Sequence, residues 1–315
     1  MTSPKYLGLP FRSGCNREGA QLAPGILCEM LGLDKSDWRF LHFNSEMLPL
    51  TDEQKQQVKN YDTVLEMSRL LRDTVAEEMQ NDRPLVVIGG DHSIALGSIA
   101  GILQRTEDVA VVWFDAHGDI NTEASSPSAN AHGMPLAALM GLCASGLNDI
   151  ATVRLKPENV FWVGARDLDD GEKQIINSLN ISDHVYSSAF VREHGMAAVM
   201  QNIRRQMEEL KLSSLHLSFD IDGMDPSVVA ATGTRVPQGL IQSHLDDFIA
   251  ALPSLPSLRS FDFVEYNPLM DDEAQTTAHW CVSTLSRLVS LFPSNHSLKY
   301  RWLYKVRAAT STLQP

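Results

Sequence analysis

Three short segments of this 315-residue chain carry side chains that bind cations. Asp115-Ala-His117-Gly-Asp119 spaces two carboxylates and an imidazole two residues apart, directly after the apolar run Val109–Phe114. Residues i, i+2 and i+4 of an extended chain point the same way, so strand geometry carried through the motif brings all three to one face. Residues 84–88 form a second apolar run, ending in Gly89-Gly-Asp91-His92-Ser93. Residues 215–219 form a third, ending in Asp220-Ile-Asp222-Gly-Met-Asp225-Pro226. Each reads as a short buried strand that breaks into Gly, Asp and His at its C-terminal end. Sites in open parallel α/β sheets form beyond the carboxyl ends of strands, so three strands are expected to deliver ligands to one edge. Aspartates also form turns and cap helices, but that accounts for one such segment, not for three that include His92, His117 and paired carboxylates. The pooled candidates are His92, Asp115, His117, Asp119, Asp220 and Asp222, two imidazoles and four carboxylates. Six ligands exceed one tetrahedral zinc and suit harder ions such as manganese. Two carboxylates shared between two ions would make a binuclear site that ionises a bridging water. Residue types alone therefore support a di-metal hydrolase.

The elements that must hold these segments alternate. Residues 6–11 read as a strand, 12–19 as turns, and 24–33 as a helix entered through proline. Val64, Met67, Leu71 and Val75 form a helical stripe within 53–79, and Met196, Val199, Ile203, Met207 and Leu210 form another. Strands are expected at Leu85–Ile88, Val109–Phe114, Val160–Val163, 215–219 and 259–264. This alternation predicts a parallel sheet with helices on both faces.

With 43% hydrophobic residues and no linker, repeat or low-complexity tract, one domain is expected. A net charge of −13 argues against nucleic acid or an anionic membrane as the main partner and suits a cationic substrate. Cys15, Cys28, Cys143 and Cys281 are scattered, which reads as reduced thiols rather than a disulfide framework or zinc ribbon. Residues 1–6 hold no signal core and no run reaches transmembrane length, so a soluble cytoplasmic protein is expected. Residues 299–307 interleave Lys299, Arg301, Lys305 and Arg307 with Tyr300, Trp302 and Tyr304. Such a pattern can bind nucleic acid; in an acidic chain it is read as packing on its own domain or a neighbouring subunit.

The ordered motifs around His92, Asp115–Asn121 and Asp220–Pro226 resemble the three signatures of the ureohydrolase family, which comprises arginases, agmatinases and relatives. The resemblance runs from the N-terminal strand to the helix after Glu265. It implies a three-layer α/β/α sandwich with a mainly parallel sheet, of the arginase/deacetylase type, with a catalytic domain over 1–292 and a tail over 293–315. It also implies two Mn²⁺ per subunit and a homo-oligomer, commonly a trimer or hexamer. By that resemblance His92, Asp115, Asp119 and Asp220 bind one ion. His117, Asp115, Asp220 and Asp222 bind the other, with Asp115 and Asp220 bridging. Asp91 and Asp225 support the ligands or shape turns.

The segment from Asn121 to Gly133 looks like the arginase version, in which Asn121, Ser128 and Asn130 contact a substrate α-carboxylate through neutral donors. Asp169 and Glu172 lie at the positions that hold the α-amino group, although early acidic residues also suit a helix N-terminus. Thr234 matches a pocket hydroxyl, and Glu265 ends a strand where a carboxylate pairs with the planar guanidinium. Glu123, Ala124 and Arg235 depart from the family pattern near the rim. The resemblance thus implies hydrolysis of L-arginine to L-ornithine and urea, with Asp119 relaying a proton and His132 shuttling protons near neutrality. The alternatives are hydrolysis of agmatine or another guanidino compound, and a catalytically silent metal-bound structural or regulatory protein.

Overall fold

A computed structural model describes residues 4–33, 35–42, 58–81, 83–144 and 146–292. Among these, eight strands form one sheet: β1 (Lys5–Gly8), β2 (Trp38–Phe40), β3 (Leu85–Ile88), β4 (Val109–Phe114), β5 (Val160–Val163), β6 (Val185–Tyr186), β7 (Ser214–Asp220) and β8 (Ser257–Val264). Their order is β2-β1-β3-β8-β7-β4-β5-β6. Every pairing is parallel, so the expected mainly parallel sheet is parallel throughout these strands.

Strand β4 shows why the sheet is covered on both sides. All six of its residues are buried; Ala110, Val112 and Phe114 enter one core, while Val109, Val111 and Trp113 enter the other. A strand buried on both faces reads as a continuous apolar run because each parity has its own core. The first core packs against α1 (Ala23–Leu31), α6 (Ser188–His194), α7 (Met196–Glu209), α8 (Gln242–Ala251) and α9 (Thr276–Val289). The second packs against α2 (Tyr61–Glu78), α3 (Ala95–Leu103), α4 (Pro135–Met140) and α5 (Asp170–Ser178). These are the three layers.

Several boundaries move. The strand expected over 6–11 is β1, which ends at Gly8. The helix expected to reach residue 33 ends at Leu31, because Gly32 takes a left-handed φ of 58° and stops it. The helix expected from residue 53 starts at Tyr61, and 53–57 lie outside the described residues. In α7, Met196, Val199, Ile203 and Met207 are buried as their spacing predicts, but Leu210 is 37% exposed. It caps the helix past the last turn, and Leu212 takes the core position instead. The basic aromatic segment 299–307 and the tail boundary lie outside the described residues. None of the four cysteines forms a disulfide among the described residues, and no described helix is long and apolar enough to cross a membrane.

The four central strands, β3, β8, β7 and β4, are contiguous in the sheet although they span residues 85 to 264. Their carboxyl ends open onto one place.

Candidate metal centre and substrate cleft

Each ligand segment leaves its strand under a local constraint. After β3 the chain passes Gly90, where a Cβ would stand 1.6 Å from the Phe11 carbonyl oxygen. Only glycine permits that approach. Asp91 caps the turn that follows: its carboxylate accepts from the N–H and hydroxyl of Ser93 and, at 2.8 Å, from the Gly14 N–H. After β4, Asp119 adopts a left-handed φ of 48°, and its carbonyl accepts from Leu136 N–H at 3.0 Å. Glu265 follows β8 with a φ of 65°, its own N–H donating to the Gly90 carbonyl at 2.8 Å. Non-glycine residues hold this conformation only where neighbours over-determine it.

These constraints bring the six candidates together. His92 Nδ1 lies 2.9 Å from Asp115 Oδ2, 3.1 Å from Asp119 Oδ2 and 3.2 Å from Asp220 Oδ2. His117 Nδ1 lies 3.3 Å from Asp115 Oδ1 and 3.2 Å from Asp222 Oδ2. Two ligand sets of metal-binding size result, His92–Asp115–Asp119 and Asp115–His117–Asp222, with Asp115 common to both. Asp220 is oriented by its own turn, accepting from the Asp222 N–H at 2.7 Å.

The surroundings aim these groups. Asp115 Oδ2 accepts from the Trp113 indole at 3.0 Å, and the Trp113 ring stacks on His92 at 4.1 Å. His92 Nε2 is 2.9 Å from Ser218 Oγ. If Nε2 donates there, Nδ1 keeps its lone pair. That Nδ1 is buried and makes no hydrogen bond despite three carboxylate oxygens within 3.2 Å. An unpaired buried nitrogen aimed at carboxylate oxygens is the geometry of a ligand, so the donor set fits divalent cations. Asp222 is braced by Thr234, whose hydroxyl donates to Oδ2 at 2.9 Å, and by Arg166, which donates to the Asp222 carbonyl at 2.8 Å.

Electrostatics say the same. Burial pushes Asp119 up to about 6, with Asp115 adding to it. Burial, Asp222 and Asp115 push Asp220 well above the usual carboxylate range, and burial raises Asp222 too. Burial acts on Asp115 as well but is outweighed by His117 and His92, which hold it below that range. Burial opposes charge on both imidazoles, yet the facing carboxylates raise both well above their ordinary value. Desolvated carboxylates this crowded require positive charge between them.

The remaining expected residues lie around the centre. Glu265 is buried; its Oε1 accepts from the His92 N–H at 2.8 Å and lies 3.3 Å from His132 Nδ1. Burial disfavours the imidazolium of His132, but Glu265 lifts it to about 9. That is above the near-neutral titration expected of a shuttle, and the cause is this buried carboxylate. Asn121 donates to Asp169 Oδ2 at 2.8 Å, and both line the cleft with Ser128 and Asn130. Glu172 lines it too, but its oxygens also accept from the Asp169 N–H at 2.9 Å and the Ile120 N–H at 3.2 Å, closing a capping box on α5. Both roles weighed for the acidic pair, cleft lining and helix capping, thus coexist at Glu172. Burial and then Asp119 push Glu172 up to about 8. Of the departures at the rim, Glu123 stands beside Cys143, and neither Glu123 nor Arg235 lines the cleft.

Two residues escaped the sequence reading. Lys59 places Nζ 3.3 Å from Asn130 Oδ1, and nothing in its local sequence marks it. The sequence places Ser218 in the strand and motif that lead to Asp220 but marks no role for it; its even spacing from Asp220 and Asp222 is the available signal.

Comparison with known proteins gives one result. The family model described as the arginase family matches residues 5–290. The arginase of Staphylococcus aureus strain MRSA252 is 34% identical over 278 residues, covering 86% of this chain and 91% of its own length. The crystal structure of Entamoeba histolytica arginase in complex with L-ornithine superposes with a TM-score of 0.80 at 34% identity, covering 91% of this chain and 99% of that one. The native Bacillus caldovelox arginase structure gives 0.83 at 33% identity, covering 94% and 100%.

Proposed function

The chain belongs to the arginase family, and from that premise we propose that it hydrolyses L-arginine to L-ornithine and urea with two Mn²⁺ per subunit. One observation carries the reading: the unpaired His92 Nδ1 and five further ligands share a centre with Glu265 and a cleft that presents the Asn121 and Asn130 amides beside Asp169 and Glu172. His92, Asp115, Asp119 and Asp220 would hold one ion, and His117, Asp115, Asp220 and Asp222 the other. When bound, such a pair lowers the pKa of water and makes a nucleophile available at neutral pH.

The chain's own groups do the rest. Glu265 takes the guanidinium in place of His132, since a carboxylate matches that planar donor bidentately. Asn121, Ser128 and Asn130 take the α-carboxylate, and Asp169 with Glu172 the α-amino group. A site built for a carboxylate leaves polar groups unpaired when agmatine enters, which disfavours that substrate. Asp119, which lines the cleft, can carry a proton to the leaving amine. His132 lines the cleft beside Glu265 and passes protons to solvent. In the same reading residues 1–292 are the catalytic domain, 293–315 a tail, and the protein a cytoplasmic homo-oligomer.

The test is urea release after Mn²⁺ loading, with L-arginine and agmatine side by side. Preference for arginine is expected. Preference for agmatine would reduce the Asn121, Ser128, Asn130 segment to a structural loop. No urea from either, with manganese bound, would favour another guanidine or a silent relative. His132→Asn is expected to keep its metal and lose most turnover; unchanged turnover would remove His132 from the mechanism.

A further inference from the structure

Two cavities meet at this site. The cleft described above encloses about 290 Å³ and is lined by His92, His117, Asp119, Asp220 and Asp169. A second, of about 420 Å³, shares Asn130, His132 and Thr234 with it but is walled by the turn of residues 15–18, by Gly233 and by Asn267. Glu265 lines this second cavity. Its Oε1 is committed to the His92 N–H and to His132, whereas Oε2 accepts no hydrogen bond among the described residues. Gly233 leaves room on that side: a Cβ there would stand 3.7 Å from Oε2 and 3.5 Å from Arg17 Cδ. The Arg17 guanidinium forms no ion pair among the described residues and donates to the Met270 sulfur at 3.8 Å.

Resting on the reading of arginine as substrate, we propose that the second cavity is a departure site for urea, a small neutral planar diamide. Hydrolysis breaks the bond between the guanidinium carbon and the chain nitrogen. Water supplies the oxygen of urea and its two protons end on ornithine's amine, which leaves as the ammonium, so argininium and water balance ornithine and urea. Ornithine then fills the cleft around Asn121 and Asp169, across the direct way out. Urea's amino groups are left facing Glu265, which carries its free Oε2 on the second cavity's side. Within that cavity Arg17 and Asn16 can donate to the urea carbonyl. Urea therefore leaves while ornithine is still bound.

The experiment uses the Mn²⁺-loaded full chain, with urea and ornithine as paired inhibitors of arginine turnover and line broadening of ¹⁵N-urea as a binding readout. The expected result is that urea binds the ornithine-loaded protein, so that the two inhibitors are not mutually exclusive. Asn16→Trp fills the cavity from an exposed position and is expected to lower kcat and weaken urea inhibition by about fivefold or more. Metal content, kcat/KM for arginine and inhibition by ornithine stay as in the parent. Arg17→Ala removes the guanidinium donor and is expected to weaken urea binding alone; it carries the test if the tryptophan variant fails to fold. Mutual exclusion of urea and ornithine overturns the proposal, as does unchanged urea inhibition in a folded variant. Turnover of arginine by the parent decides the substrate reading separately. Its absence overturns both, whereas turnover with mutual exclusion overturns the departure site alone.

Discussion

Replacing Lys59 with methionine separates recognition of a carboxylate from chemistry. The ammonium is held 3.3 Å from Asn130 Oδ1, and the Lys59 backbone N–H bonds the Ala129 carbonyl at 2.9 Å, so the cation is anchored beside the neutral clamp. A carboxylate accepting from the Asn130 amide would lie roughly 6 Å from the ammonium, an interaction of about 3 kcal/mol at an effective dielectric near 20. Lys59 is only half-buried, so screening reduces the net to about 1–1.5 kcal/mol. That is about tenfold in binding. Methionine keeps the length of the stem without the charge. Steady-state kinetics of Lys59→Met should show KM for arginine raised about tenfold, kcat within about twofold of the parent, and agmatine kinetics unmoved. The arginine KM of the parent, but not of the variant, should also rise with salt. An unchanged arginine KM, or an equal rise for agmatine, would refute the placement of the carboxylate.

Other perturbations test the supports. Ser218→Ala should leave the fold intact but weaken metal retention by about 10–100-fold, read by competition with a chelator, because the partner of His92 Nε2 is gone; parent-like retention would show that Ser218 does not orient the ring. Glu265→Gln should lower the titration of His132 from about 9 by about 1–3 units in metal-free protein, followed by NMR, and no movement would deny the pairing. In metal-free protein Asp119 is raised to about 6 and Glu172 to about 8, against unfolded values near 4. The folded state therefore holds protons that the unfolded chain has released, so stability falls as pH rises from about 4 through 6 and 8, and His132, raised to about 9, adds loss in the same direction. Melting temperatures should thus decline between pH 5 and pH 9 without metal and much less with manganese, about that range being where these groups titrate; a metal-free rise would contradict the assignment. Gly90→Ala, whose Cβ would meet the Phe11 carbonyl at 1.6 Å, should cost about 1–3 kcal/mol or more in denaturant unfolding, and a neutral effect would mean the backbone there yields.

The sheet's interior was legible because β3, β4 and β5 are apolar on both faces, and such runs admit little else, while β7 alternates Leu215, Leu217 and Phe219 with polar residues. The ligands were legible because each follows its strand at once, so chain order already places it at the sheet edge. The short edge strands were not legible: Val185–Tyr186 and Trp38–Phe40 have too few residues to display a period. Glu172 shows the limit within the site. Its spacing from Asp169 serves a capping box and a ligand cleft equally, and only its partners reveal that the helix end claims Oε2 while the Ile120 N–H after β4 claims Oε1. Lys59 marks the other limit, since its proximity to Asn130 is made by tertiary packing across 71 positions of sequence.

The contiguity of β3, β8, β7 and β4 has a kinetic consequence. Strands 175 or so residues apart in sequence are immediate neighbours at the centre, with Leu85 paired to Ser260 and Ile88 to Phe263. Such non-local pairing is slow to form, because loop closure must precede any reward from contact. The ligands from His92 to Asp222 belong to strands that meet only when this central pairing is complete, so a cation can grip the chain only late. An interaction absent from the folding barrier slows the escape from the native state rather than the approach to it. Manganese should therefore act as a brake on unfolding, setting the protein's lifetime more than its speed of assembly.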